Sequence, residues 1–452
     1  MEEKLALDFL TTIGNPDLLR HWHTLQPEQK KNIFAQLQQI DIPTLRLQQR
    51  LILQPQTTQR KITPFTHYSL SGNSEDAQCG LELISKGQVG CLLLAGGQGS
   101  RLRIDGPKGI CAVSKVCKKS LFQLFAEKTL AAGKQVKRPL LLAIMTSPLN
   151  HAETVSFFEK NDLFGLDKKQ LSFFQQKNLP LLDREGNLFL ETKDHLSEGP
   201  DGNGASLERF FECGLGDEWR TQGIQYLNCV LIDNALADPF DAELIGYQAR
   251  RQSDIVIKCV MRKNPEEKVG VIVQENGKIA VIEYSEMSNE ERLALNLEMT
   301  LLHPLANISL FSFKMKFVAE VEKNLHPIFH KSFKAVNFLN KDGVTIKAEQ
   351  PMAWKFERFL FDTLSIAPKV EALVYPRENC FAPLKNFSGN DSFDSVVSAL
   401  EHRDRQIISA ITGSSCLESP LELAQDFYYP DEELLKKWRG KKLTHGGYIE
   451  NL

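Results

Sequence analysis

Three glycines and two cations stand close together in this chain: Gly96, Gly97 and Gly99 follow the apolar run Cys91 to Leu94, and Arg101 and Lys108 come next. Glycine lets a backbone approach a polyphosphate and turn its N–H groups toward it, because no Cβ blocks the way. Arg101 and Lys108 bring positive charge to the same loop. The chemistry this suggests is the binding of nucleotide phosphates. A P-loop is excluded, since no Gly-Lys-Ser or Gly-Lys-Thr occurs. A dinucleotide fingerprint is also excluded, because Gly97-Gln98-Gly99 is followed by Ser100, Arg101 and Leu102, without the third glycine. A glycine turn after a strand can be a plain connection; the basic pair favours the phosphate reading.

Other residue types suited to chemistry are scattered. Asp233 follows YLNCVLI, which puts a carboxylate at the ligand edge of a sheet; Mg²⁺ is held in such places by one carboxylate, phosphate oxygens and water, and a turn cap is the plain alternative. Gln176 ends the run FFQQ and offers a donor and an acceptor on one amide; Gln175 points the opposite way if the strand continues. Pro200-Asp201-Gly202-Asn203-Gly204 has the composition of a turn. Lys355 and Lys385 are, taken alone, surface lysines. No Ser/His/Asp arrangement stands out, and the 10 histidines show no metal spacing such as H-E-x-x-H.

LAGGQGSRL followed by GPKG resembles the signature loop of the uridylyltransferases that make UDP-sugars. MTS at Met145, FFQQ at Phe173, PDGNG at Pro200, IDN at Ile232, EYSE at Glu283 and PLKN at Pro383 agree in order, so the stretch from about Leu18 to Asn386 is similar to the eukaryote-type UDP-N-acetylhexosamine pyrophosphorylases. Two departures are visible: Arg103 stands where that family usually has glycine, and Ala205-Ser206 follow Gly204 where a second glycine is usual.

The resemblance implies a nucleotide-diphospho-sugar transferase: UTP and a sugar 1-phosphate give a UDP-sugar and pyrophosphate with Mg²⁺. N-acetylglucosamine 1-phosphate is the first choice of sugar, and UDP-glucose synthesis or a broad sugar range is the alternative. It gives Ala95, Gly96, Gly97, Gln98 and Gly99 to the triphosphate, Arg101 and Lys108 to the leaving pyrophosphate and α-phosphate, and Lys355 and Lys385 to the sugar phosphate. Gln176 and the Gly202 backbone would meet the base, Asn203 the sugar substituent, and Gly270, Glu283 and Asn307 the sugar hydroxyls. Asp233 would serve the nucleotide and hold Mg²⁺. Such a site consists of positioning groups and cations, with no covalent nucleophile required.

The rest of the chain must position these residues. At 452 residues it exceeds what one hydrophobic core usually serves, so two or three domains are expected. A net charge of −3 gives no argument for nucleic acid or an acidic membrane as partner, and any anion must be met by local positive charge. No run of about 18 apolar residues exists, and MEEKLALDFL lacks the pattern of a signal peptide. The 9 cysteines form no C-x-x-C pair and read as reduced thiols. The expectation is a cytoplasmic enzyme, monomeric or weakly homo-oligomeric, with no nucleic-acid or membrane partner.

Helical spacing from Leu18 to Leu53 predicts a helical N-terminal lobe, and the polar, proline-bearing stretch from Gln54 to Asp76 a linker. Strands at Cys91, Leu140, Ser172, Leu227 and Ile255, separated by helix-length segments, predict an α/β fold with a mixed, mostly parallel central sheet, Rossmann-like, covered on both faces. Two short strands about Asn276-Gly277 read as a hairpin. The expected division is residues 1–86 as N-terminal lobe and linker, 87–388 as catalytic domain and 389–452 as a small C-terminal lobe.

Overall fold

The computed structural model describes residues 2–53, 61–414, 419–443 and 445–451. By packing, these fall into two compact units. The larger contains residues 61–175, 206–325 and 360–452; the smaller contains residues up to 60 together with 176–205 and 326–359.

In the larger unit one 11-stranded mixed α/β sheet carries the architecture. Eight of its strands lie in the spatial order Ser69–Leu70, Val370–Val374, Ile255–Met261, Leu305–Lys314, Tyr226–Leu231, Val89–Leu94, Leu141–Thr146, Leu171–Gln175, and Ile62–Pro64, Gly270–Glu275 and Lys278–Ile282 join it off this path. Along this path only Leu305–Lys314 runs antiparallel to its neighbours. A mostly parallel sheet must be buried on both faces, and the sequence obliges. All six residues of Val89–Leu94 are buried, and helices connect the strands, among them Leu121–Gln135, begun by Ser120, whose side chain accepts from Gln123 N–H. One large apolar core joins Cys91, Leu93, Phe122, Phe125, Ile144, Phe158 and Val230. The hairpin at Asn276-Gly277 is present, Gly270–Glu275 pairing with Lys278–Ile282.

The stretch expected as a linker is different where it can be followed. Residues 54–60 lie outside the described residues, but Ile62–Pro64 and Ser69–Leu70 are strands of the large sheet. Both are short edge strands, the place in a sheet that tolerates proline such as Pro64. The stretch from 389 onward belongs by packing to the unit that holds the central sheet. It consists of the helix Phe393–Thr412, a parallel strand pair of Leu421–Leu423 and Gly447–Ile449, and the helix Glu432–Trp438.

The smaller unit has its own core. Leu10, Trp22, Ile33, Leu37 and Leu45 from the N-terminal helices pack with Leu182, Leu190, Phe329 and Phe356. The helical lobe read from the N-terminal periodicity is therefore present, but its apolar face is closed by chain from two distant stretches.

Candidate functional site

The glycine loop leaves the sheet at Leu94. Ala95 N–H still donates to Met145 O at 2.7 Å, and the loop then folds on itself: Lys108 N–H donates to Gly97 O and Gly99 N–H to Gly106 O. Asn150 fixes it from below. Although it stands at the start of the helix His151–Lys160, its side chain does not cap that helix. Instead Nδ2 donates to Ala95 O (3.0 Å) and Oδ1 accepts from Ser147 N–H. Gly109, which follows Lys108, lies so close to the buried Phe122 ring that a Cβ there would come within 2.2 Å of it. Glycine is thus required for the loop to settle onto the core.

The strand Tyr226–Leu231 lies parallel to Val89–Leu94, Leu231 opposite Leu94. Two residues on, Asp233 emerges at the same edge as the glycine loop. Lys108 Nζ is 3.7 Å from Asp233 Oδ2. Asp233 O also accepts from Leu384 N–H at 2.7 Å, and Asn234, 1% exposed, uses both faces of its amide on the same segment. Its Nδ2 donates to Cys380 O (2.8 Å) and its Oδ1 accepts from Ala382 N–H (2.9 Å). The loop bearing Asp233 and the segment bearing Lys385 are tied together by these bonds.

A cavity of about 100 Å³ opens here, lined among others by Asp233, Gly270, Glu283, Asn307 and Lys385. Five residues singled out in sequence between positions 233 and 385 thus share one space. Gly270 pairs with Asn307 across antiparallel strands. The pairing of Ile255–Met261 with Leu305–Lys314 shifts register between Lys258 and Cys259, leaving Ile308 and Ser309 as a bulge with Ser309 at φ 55°. Ser309 N–H donates to Asn307 Oδ1 at 3.0 Å. A bulge re-aims side chains locally, and this one fixes the Asn307 amide at the cavity wall. Lys268 lines the same cavity and was missed by sequence reasoning, since a lysine in the loop PEEKVG carries no signal of its own.

Arg101 is exposed on the one-turn helix Ser100–Leu102 within the glycine loop. The other four site residues, Gln176, Gly202, Asn203 and Lys355, belong to the smaller unit. The strand ends at Gln175, whose carbonyl accepts from Arg209 Nε, and Gln176 is 5% exposed. The turn Pro200–Gly204 is built on Asp201, fully buried, which receives the Arg358 guanidinium as a fork from Nε (2.9 and 3.1 Å) and Nη2. Burial pushes the Asp201 carboxyl up and Arg358 pulls it back. Gly202 (φ 87°) lies so close to the Arg358 carbonyl that a Cβ would be 2.4 Å from it. Lys355 is held by Glu357 Oε1 at 2.9 Å. The Arg358 anchor was not read from the sequence, because its partner is 157 residues away.

A larger cavity, about 310 Å³, lies within the smaller unit between residues 14–21 and 183–190 and holds none of these residues. Two of its polar groups are satisfied locally, since Asp183 accepts from Glu185 and Asn187 N–H and Asn15 from Leu188 N–H, while the buried Nε2 of His21 has no partner among the described residues. Among the described residues no cluster of three or more His, Cys, Asp or Glu is placed to hold a metal ion, and no helix is long and apolar enough to cross a membrane.

A glycine loop with two cations at the carboxyl edge of a mostly parallel sheet, beside a carboxylate and a polar cavity, defines a nucleotidyltransferase of the α/β class. More narrowly, the chain belongs to the UTP–glucose-1-phosphate uridylyltransferase family, whose model matches residues 31–415. It is 31% identical to UDP-N-acetylglucosamine diphosphorylase 2 of Arabidopsis thaliana over 86% of this chain and 81% of that one. It is 30% identical to the UDP-N-acetylglucosamine pyrophosphorylase of Saccharomyces cerevisiae over 96% and 97%. The fold matches the crystal structure of the uridine diphosphate N-acetylglucosamine pyrophosphorylase from Trypanosoma brucei, with a TM-score of 0.83, 22% identity, and coverage of 100% and 99%.

Proposed function

We propose that this uridylyltransferase uses N-acetylglucosamine 1-phosphate: the sugar phosphate attacks the α-phosphorus of UTP in line, and pyrophosphate leaves. The observation that carries the reading is the cavity that gathers Asp233, Gly270, Glu283, Asn307 and Lys385 next to the loop bearing Lys108. The relatives named for UDP-N-acetylglucosamine support that sugar; the family's name makes glucose 1-phosphate the second candidate.

In this reading the backbone of Ala95 to Gly99 cradles the triphosphate, and Arg101 and Lys108 take up charge on the α-phosphate and departing pyrophosphate, Arg as a fork and Lys as a point charge. Lys385 holds the sugar phosphate, a role that the motif resemblance also gives to Lys355. The motif resemblance gives the base to Gln176 and Gly202 and the sugar substituent to Asn203. Glu283, Asn307 and the Gly270 backbone select the sugar, since a buried polar group left unpaired by the wrong sugar costs about 1 to 3 kcal/mol.

Asp233 fits Mg²⁺. A carboxylate at the carboxyl edge of the sheet, beside the cavity, suits an ion that keeps several waters and completes its shell with substrate phosphate oxygens. When bound, the ion would neutralise charge on those oxygens. The eight described cysteines are all free thiols, which supports a reducing, cytoplasmic setting.

Pyrophosphate release from UTP tests the reading, with N-acetylglucosamine, N-acetylgalactosamine, glucose and galactose 1-phosphates offered separately, each with Mg²⁺ and with chelator. Release strongest with N-acetylglucosamine 1-phosphate and abolished by chelator is expected. Release with glucose 1-phosphate alone would move the sugar, and activity undiminished by chelator would remove Mg²⁺.

A further inference from the structure

Arg103 follows the turn Ser100–Leu102 with φ 59° and ψ 32°. That left-handed conformation disfavours a residue with a Cβ and suits glycine, so the backbone gains nothing from arginine at this position. The side chain does make a contact: its guanidinium carbon lies 4.5 Å from the centre of the Phe387 ring. Phe387 is 49% exposed, two residues after Lys385.

Both partners sit on tightly tied backbone. Around Arg103, its own N–H donates to Ser100 O and Ile104 N–H to Gly99 O, which links it to the phosphate-binding glycines. Around Phe387, Lys385 and Asn386 N–H both donate to Asp391 O (2.7 and 2.9 Å), and Asn386 Nδ2 donates to Asn390 O. Phe387 and Lys385 therefore ride on one closed loop.

We propose that the Arg103–Phe387 stack is a clasp joining the nucleotide loop to the Lys385 loop, so that Arg103 and Phe387 are positioning residues for the transfer. The inference rests on the reading above, in which Lys108 meets the phosphates of UTP and Lys385 the sugar phosphate. In-line transfer depends on the spacing of two bound phosphates, and errors of an ångström in such spacing are costly in rate. An exposed cation–π pair contributes little to folding, so removing the clasp acts on turnover far more than on stability.

The test compares Arg103→Gly, Phe387→Ala, the double variant and Phe387→Trp with the unmodified protein in the pyrophosphate assay, together with their melting temperatures. Arg103→Gly suits the left-handed backbone and Phe387→Ala removes an exposed ring, so neither threatens the fold. Each single variant is expected to lower kcat/KM for the sugar 1-phosphate by about threefold to tenfold with an unchanged melting temperature. The double variant should be no worse than either single, and Phe387→Trp should retain activity because it keeps the stack. An active parent with a silent Phe387→Ala, or with single effects that multiply in the double variant, overturns the clasp; in both cases Arg103 acts independently of the ring. A parent inactive with every sugar phosphate overturns the functional reading, and the clasp's role falls with it.

Discussion

Lys108 Nζ stands 3.7 Å from Asp233 Oδ2, and both side chains are more than four-fifths buried. The two residues follow neighbouring parallel strands that end level with each other, Leu94 beside Leu231. In the proposed reaction, this pair is where phosphate charge and its counter-charge would meet.

Replacing Lys108 or Asp233 by alanine is therefore expected to lower kcat by on the order of 10²- to 10³-fold, the range seen when one group stabilising transition-state charge is removed. Because the pair is mostly buried, leaving one charge without its partner also costs stability, up to about 3 to 5 kcal/mol, so turnover is compared per folded molecule. Steady-state kinetics beside thermal melting checks this. Melting that collapses while residual activity per folded molecule stays normal would make the pair structural.

Asn234→Ala should damage both stability and turnover. It leaves Cys380 O and Ala382 N–H without the amide that joins them to the Asp233 loop. Two buried backbone groups left unpaired cost about 2 to 6 kcal/mol, visible as a lower urea midpoint. The freed 380–385 segment should also raise KM for the sugar phosphate. An unchanged KM would show that Lys385 is positioned without this bridge.

In the smaller unit, Arg358→Leu strands the fully buried Asp201 carboxylate. Loss of one partner from a buried pair costs about 3 to 5 kcal/mol. Arg358→Lys keeps the charge but not the fork, so it should fold and still loosen the turn at Gly202 and Asn203. A raised KM for UTP in Arg358→Lys, with modest loss of stability, is the expected signature.

Stability should fall as pH rises from about 4 to about 7. Burial raises the Asp404 carboxyl from its ordinary range to about 7, against the opposing pull of the Tyr428 hydroxyl and Lys128. Across that window the unfolded chain releases this proton while the folded chain keeps it, so the folded state loses up to about 4 kcal/mol from this group. Asp404→Asn, neutral at every pH, should flatten that limb of the urea-midpoint profile. A slope identical in the variant would assign the pH dependence to other groups.

The sequence by itself determined what depends on near neighbours. A buried strand running into glycines and then cations, the alternation of strands with helix-length segments, and a hairpin at Asn276-Gly277 are local patterns, and the structure contains all three. The motif resemblance extended this to a set of site residues, five of which line one cavity. Only the tertiary structure decided what depends on chain brought from far away. Asn234 was legible as part of a motif but not as the tie between two loops, because its partners are 146 and 148 residues distant. The bulge at Ile308 and Ser309 is a matter of register between strands, and register leaves no trace in periodicity. The N-terminal helices read as a lobe of their own, yet they close their core with residues 176–205 and 326–359. An apolar stripe announces that it must be buried, and the stripe alone does not say which distant segment buries it.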